Sequence, residues 1–147
     1  MAIMNTLQCE LCRSDGGEVL WRGARLRIVA VADPEVPAFL RVIWSSHVAE
    51  MSDLAQHDAA HLLEAVIAAE RVLRTALQPD KINLASLGNM VPHLHWHVIP
   101  RFAGDAHFPQ AVWGARQREP DAAILARQRS ALPQMKAELA AALQHAA

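Results

Sequence analysis

The sequence predicts an α+β fold: a mostly antiparallel sheet of about five strands with one long helix and a C-terminal helix. Three observations carry this. Short β-rich runs recur across breaks too short for crossover helices, which favours antiparallel neighbours. One long stretch repeats its apolar positions at the 3,4 spacing of a helix. Finally, Pro92-His93-Leu94-His95-Trp96-His97-Val98-Ile99-Pro100-Arg101 alternates histidines with apolar residues, the period of a strand.

At 147 residues the chain is expected to form one domain, 1–147, large enough to bury a core. With 52% hydrophobic and 20% charged residues and a net charge of -1, it is globular in composition and excludes a bulk electrostatic grip on nucleic acid. Local donors can still hold a small phosphate-bearing ligand. Met1 to Gln8 contains neither a basic n-region nor a long apolar run, and no segment reaches the length of a membrane span. A cytoplasmic location without membrane contact is therefore expected. In such a chain Cys9-x-x-Cys12 implies reduced thiols or a metal rather than a structural disulfide.

Taken in order, residues 1–17 read as an irregular leader closed by Ser14-Asp15-Gly16-Gly17. The runs 18–22 and 25–31, parted by Gly23-Ala24, read as a hairpin. Pro34 and Pro37 interrupt before the strand 39–44, which ends at Ser45-Ser46-His47. A long helix is expected from Ser52 or Asp53 as N-cap to just before Pro79, packing Leu62, Val66, Ala69 and Leu73. Its His57 and His61 stand four apart and, lacking a third ligand, read as solvated surface. Residues 81–87 form a strand, 88–92 a turn, and the histidine strand follows. So short a turn makes these last two strands antiparallel neighbours, bringing Asn83 and the amides of Gly88 and Asn89 toward the histidines. Residues 103–120 are a loop with aromatic anchors Phe108 and Trp113. From 121 to about 145 the composition is helical, with Pro133 expected to break or kink it.

On a strand, His93, His95 and His97 share a face at roughly 6.5 Å per step, opposed by Leu94, Trp96 and Val98. Neutral imidazoles on a half-buried sheet need partners. The row could be structural, although three histidines are a poor choice for packing. His93 and His95 could bind a catalytic zinc with a third ligand, giving a metal-dependent hydrolase, but no carboxylate lies beside them to serve as base. Or the middle imidazole attacks phosphorus, which requires one free lone pair while the other ring nitrogen donates to a fixed acceptor.

His93-Leu94-His95-Trp96-His97-Val98-Ile99 resembles the signature of the histidine triad (HIT) superfamily, His-x-His-x-His followed by two apolar residues, and matches it at every position. The resemblance extends over about residues 9–102, leaving 103–147 as a C-terminal extension, and includes Asn83, Gly88-Asn89 and the strand from Pro37 to His47. It implies a homodimeric HIT-like fold that hydrolyses or transfers nucleoside monophosphates, from phosphoramidates or dinucleoside polyphosphates, through a nucleotidyl-histidine. By position it makes His95 the nucleophile and His97 the support for its orientation. His93, Asn83, Gly88 and Asn89 would contact phosphate or place the ring, with a purine nucleotide as substrate and no cofactor needed for catalysis. Departures from the family pattern are Asn89 for a common Gln, Met90 for a hydroxyl residue, Trp44 for a proline and Phe39 for a further histidine. Asp33 is the candidate acidic ribose contact.

Cys9-x-x-Cys12 has the spacing of half a zinc site. The resemblance implies, as in some branches, a structural zinc completed by His47 and His93, in which case His93 is not free for phosphate. The alternative class is a purine nucleotide-binding regulatory module with little turnover.

Overall fold

The computed structural model describes residues 6–146; the first five residues of the leader and Ala147 lie outside them. Strands β1 (Glu18–Arg22), β2 (Leu26–Ala30), β3 (Leu40–Trp44), β4 (Lys81–Ala85) and β5 (His95–Arg101) form one sheet in the order β1-β2-β3-β5-β4. Every neighbouring pair is antiparallel: short connections join β1 to β2, β2 to β3 and β4 to β5, while β3 meets β5 only after the chain has passed through α2 and β4. The helices are α1 (Glu10–Arg13), α2 (Gln56–Leu77) and α3 (Ala122–Ala142).

Strand alternation divides the sheet's side chains between two environments. Behind it, Leu26, Ile28, Leu40, Val42 and Val98 pack against Leu62, Val66 and Leu73 of α2 and Met135 and Leu139 of α3. In front, Cys9 and Leu11 cover Val29 and Ile43 at one end, while Val36, Phe39 and Ile99 cluster with Val112 at the other. Pairing of Arg41 with His97 and of Ile43 with His95 puts both histidines on the front face, between these two covers. The sheet thus separates a helical core from a cleft.

Several boundaries differ from the sequence expectation. From Thr6 onward the leader is ordered rather than irregular: a 3-10 turn at Thr6–Gln8 precedes α1. Buried Arg27 fastens it by donating to the carbonyls of Leu11, Ser14 and Asp15 at 2.8, 3.0 and 2.9 Å. Gly17 allows the leader to pass against β2, since a Cβ there would lie 2.3 Å from the Ala30 carbonyl oxygen. Helix α2 starts after Ala55 rather than at Ser52 or Asp53. The Asp53 carboxylate is used instead in the preceding turn, Met51–Asp53, where it accepts from the Glu50 amide at 3.0 Å. Helix α3 runs through Pro133 without a break. That residue is on the exposed side, so the carbonyl it deprives of a donor meets water while Met135 and Leu139 keep their packing.

The largest difference concerns the histidine strand, which begins at His95 and not before His93. Leu94 donates to the Val48 carbonyl (2.7 Å) and accepts from the Trp44 amide (3.1 Å), so the preceding residues are tied to the end of β3 and its loop. Beyond β5, residues 103–120 lack regular structure but are latched. Buried Arg101 binds Asp105 through Nε and Nη2 at 2.9 and 3.2 Å, and Asp105 also accepts from the amides of Phe102, His107 and Phe108. Among the described residues no helix is long and apolar enough to cross a membrane.

Candidate active site

His95 is buried and its Nδ1–H donates to the His93 carbonyl at 2.5 Å. This commits one nitrogen and fixes the tautomer, leaving the lone pair on Nε2. Burial lowers its pKa; the bond to His93 opposes that shift and the Arg41 charge adds to it. The ring is thus neutral near pH 7, as a nucleophile requires. His95 lies between two cavities that share Leu87 and Gly88: one of about 330 Å³ with Arg41, Asn89, His97 and Trp113, the other of about 390 Å³ with Glu50, Ser52, Ser86 and Trp96. A phosphoryl group held at His95 has room for one substituent on either side.

His97 is enclosed by rings. His95, Trp113 and Phe39 meet it edge to face with centroids at 4.9, 5.1 and 5.4 Å. Its buried Nδ1 has no partner among the described residues. Burial first, then the charges of His95 and Arg41, lower its pKa to about 4. The hydrogen bond that orients His95 goes to the His93 carbonyl, and His97 meets the same ring edge to face.

His93 departs furthest from the triad role expected of it. Its ring is fully buried; Nε2 donates to the Trp44 carbonyl at 2.6 Å, and Nδ1 faces Cys9 Sγ, Cys12 Sγ and His47 Nδ1 at 3.5, 3.4 and 3.3 Å. Although His93 is among the residues lining the 390 Å³ cavity, both its ring nitrogens are engaged by Trp44 and the cysteine–histidine cluster, so neither is free for a phosphate. The four donor atoms of Cys9, Cys12, His47 and His93 lie within 4.8 Å of one another, and Cys12 Sγ is 3.3 Å from His47 Nδ1. A tetrahedral zinc with ordinary Zn–S and Zn–N bonds sets such atoms about 3.3–3.8 Å apart, so the donor set fits the ion in both type and spacing. The Nε2–H bond to Trp44 fixes the tautomer that presents Nδ1.

Gly88 and Asn89 line the cleft as expected, with Gly88 at φ +78° in a turn that only glycine enters freely. Asn83 shares the front face but not the cleft lining, and its Oδ1 accepts from Arg101 Nη1 at 2.8 Å. Asp33 accepts from the amides of Glu35 and Val36 within its own turn rather than facing the cleft. His61 meets Trp44 edge to face and His57 lies beside Asp58, so neither joins a metal cluster among the described residues.

Among the cleft residues that sequence reasoning did not single out are Arg41 and Trp113. Arg41 stands beside His97 on β3. A single cation in the apolar run Phe39-Leu40-Arg41-Val42-Ile43-Trp44 was the available signal. Trp113, read only as an anchor, roofs His97; its distance in sequence from the triad gave no indication of this.

Because folding lowers the His97 pKa, the unfolded chain binds more protons between pH 6.5 and about 4. Its contribution to stability is complete above 6.5 and is lost as pH falls toward 4, a change of about 2–3 kcal/mol. Stability against urea should therefore fall less on acidification in His97→Gln than in wild type. Equal pH slopes would remove this account of His97.

The fold and site define an α+β protein whose triad strand floors a cleft with a locked, neutral imidazole at its centre. Residues 17–104, more than half of the chain, match the HIT domain, and the chain belongs to that family. An AP-4-A phosphorylase of Mycobacterium tuberculosis is 31% identical over 106 residues, which are 68% of this chain and 54% of the relative. The chain thus spans about half the length of the curated relatives it matches. A histidine triad protein from Bradyrhizobium japonicum is 30% identical with a TM-score of 0.67, covering 82% of this chain and 91% of that one. Another, from Marinobacter aquaeolei, is 27% identical with a TM-score of 0.68 over 90% of this chain and 93% of its own.

Proposed function

We propose that this protein hydrolyses or transfers nucleoside monophosphates, from phosphoramidates or dinucleoside polyphosphates, through a nucleotidyl group on His95. The observation that carries the reading is the His95 Nδ1–H bond to the His93 carbonyl, which frees Nε2. The Nε2 lone pair forms a bond to phosphorus as the bond to the leaving group breaks, and that group departs with the electron pair and takes up a proton from solvent. Water then displaces Nε2, giving up one proton to solvent as it forms the nucleoside monophosphate, and the imidazole returns neutral with its proton still on Nδ1. Gly88, Asn89 and His97 line one cavity with His95, which supports a role for them in holding the non-bridging oxygens during both steps. The relationship to an AP-4-A phosphorylase supports a dinucleoside polyphosphate among the substrates.

The same reading assigns a structural zinc to Cys9, Cys12, His47 and His93, four donors that complete a tetrahedron and leave no open position. It also makes the protein a homodimer. Strand β4 forms a sheet edge with Leu84 exposed, and α2 exposes Leu63 and Ile67.

The test is intact-mass spectrometry after brief mixing with a purine nucleoside 5′-phosphoramidate. Wild type should gain one nucleotidyl group, and peptide mapping should place it on His95. Product release with no adduct under any quench, or with an adduct elsewhere, would overturn the mechanism; tight nucleotide binding without product would identify a binding module instead.

A further inference from the structure

Arg41 lines the cleft beside His97 and lowers the pKa of both cleft histidines, but it is neither a reacting group nor one of the four metal donors. It is a half-buried guanidinium in the middle of the central strand β3, and its buried Nε has no partner among the described residues. Such a group is costly to hold in a folded protein, and a missing acceptor there points to something the cleft receives. Its direction narrows the choice. Nη1 reaches the leader turn, 3.8 Å from the place a Cβ of Gly16 would occupy, whereas the attacking atom belongs to His95, paired two residues along with Ile43.

The surroundings at this end are unsuited to a second phosphate. Leu11, Leu87, Met90, Val91 and Trp113 form the walls, three of them among the large hydrophobics left exposed: Leu87 55%, Met90 91% and Trp113 54%. Glu10 lines the same end and acts on Arg41 through space, offsetting its charge. Beyond Asn89, His95 and His97, which lie toward the reacting phosphorus, the polar lining of this apolar end is one donor fork and one carboxylate, a set that matches a base rather than a polyphosphate.

We propose that Arg41 is a specificity-determining residue that reads guanine, its fork donating to O6 and N7 while Glu10 accepts from N1–H and the exocyclic amine. Adenine places an amino group where guanine has O6, so it can accept only one of the two Arg41 bonds. This inference rests on the proposed nucleotide chemistry of the same cleft but concerns the base, so the two can fail separately.

Initial rates with guanosine and adenosine 5′-phosphoramidate test it, together with calorimetry of GMP and AMP. Wild type should favour guanosine in kcat/KM, and GMP in affinity, by about tenfold or more. Arg41→Leu should bring both ratios close to one. Arg41→Lys should do the same, because an ammonium keeps the charge but not the fork. Thermal melting separates this from a structural role: removing a guanidinium with an unpartnered nitrogen should leave Tm unchanged or raised, whereas an arginine needed for folding would lower it. Equal use of both bases by wild type, or an equal fall for both in Arg41→Leu, overturns the proposal. Selective GMP binding without turnover upholds it while refuting the catalytic reading, and binding of neither nucleotide overturns both.

Discussion

His95→Ala is expected to reduce turnover of a nucleoside phosphoramidate by roughly 10,000-fold or more while the protein remains folded. No second imidazole can substitute. His93 turns Nε2 to Trp44 and Nδ1 to the cysteine cluster, and its ring is fully buried. His97 is confined by Phe39, Trp113 and His95, so reaching the same phosphorus would require it to leave three ring contacts. Removing the His95 ring also deletes one hydrogen bond and part of a packed side chain, at about 1–3 kcal/mol, which circular dichroism and urea unfolding would register as a modest loss. The kinetic and structural effects are therefore separable. Retention of a tenth of wild-type turnover by the alanine variant would remove His95 from the role of nucleophile.

What the sequence revealed and concealed follows from the range of the interactions involved. Alternation within β5 is a local property, so the common face of His95 and His97 could be read directly, as could the β1–β2 and β4–β5 pairings. The start of β5 depends instead on Val48 and Trp44, far away in the chain, and for that reason His93 was placed on a strand it precedes. Likewise the leader looked irregular because Arg27, which anchors it, belongs to β2. The N-cap chosen for α2 was a residue of the right type, but its carboxylate is occupied by the preceding turn. The pairing of β4 with β5 brings Asn83 toward the histidine row, and the family resemblance implies a phosphate or ring-placing role for it; the pairing is present, but a competing donor two residues past its partner, Arg101, holds its side chain. Arg41 and Trp113 enter the cleft only once β3 lies beside β5 and the 103–120 loop folds back, and no local pattern encodes either event.

Removing metal from the Cys9, Cys12, His47 and His93 site is expected to destabilise the protein by several kcal/mol, lowering Tm by roughly 10 °C. These residues come from the leader, the turn after β3 and the residues before β5, so an ion there joins three segments that meet only in the folded chain. Without it, buried Cys9 and His93 retain polar atoms facing one another at 3.5 Å with no charge to organise them. Turnover should also fall, although no reacting group touches the site, because His93 carries the carbonyl that holds His95 in its reactive tautomer. Protein purified from zinc-supplemented cells should contain about one zinc per chain, and Cys12→Ser should release it. Refilling with cobalt or cadmium should restore Tm and turnover together, at a rate indifferent to the ion, since the ion's task is to position His93. A rate that follows the Lewis acidity of the ion would overturn the structural assignment. Metal-free protein with an unchanged Tm would overturn the site itself.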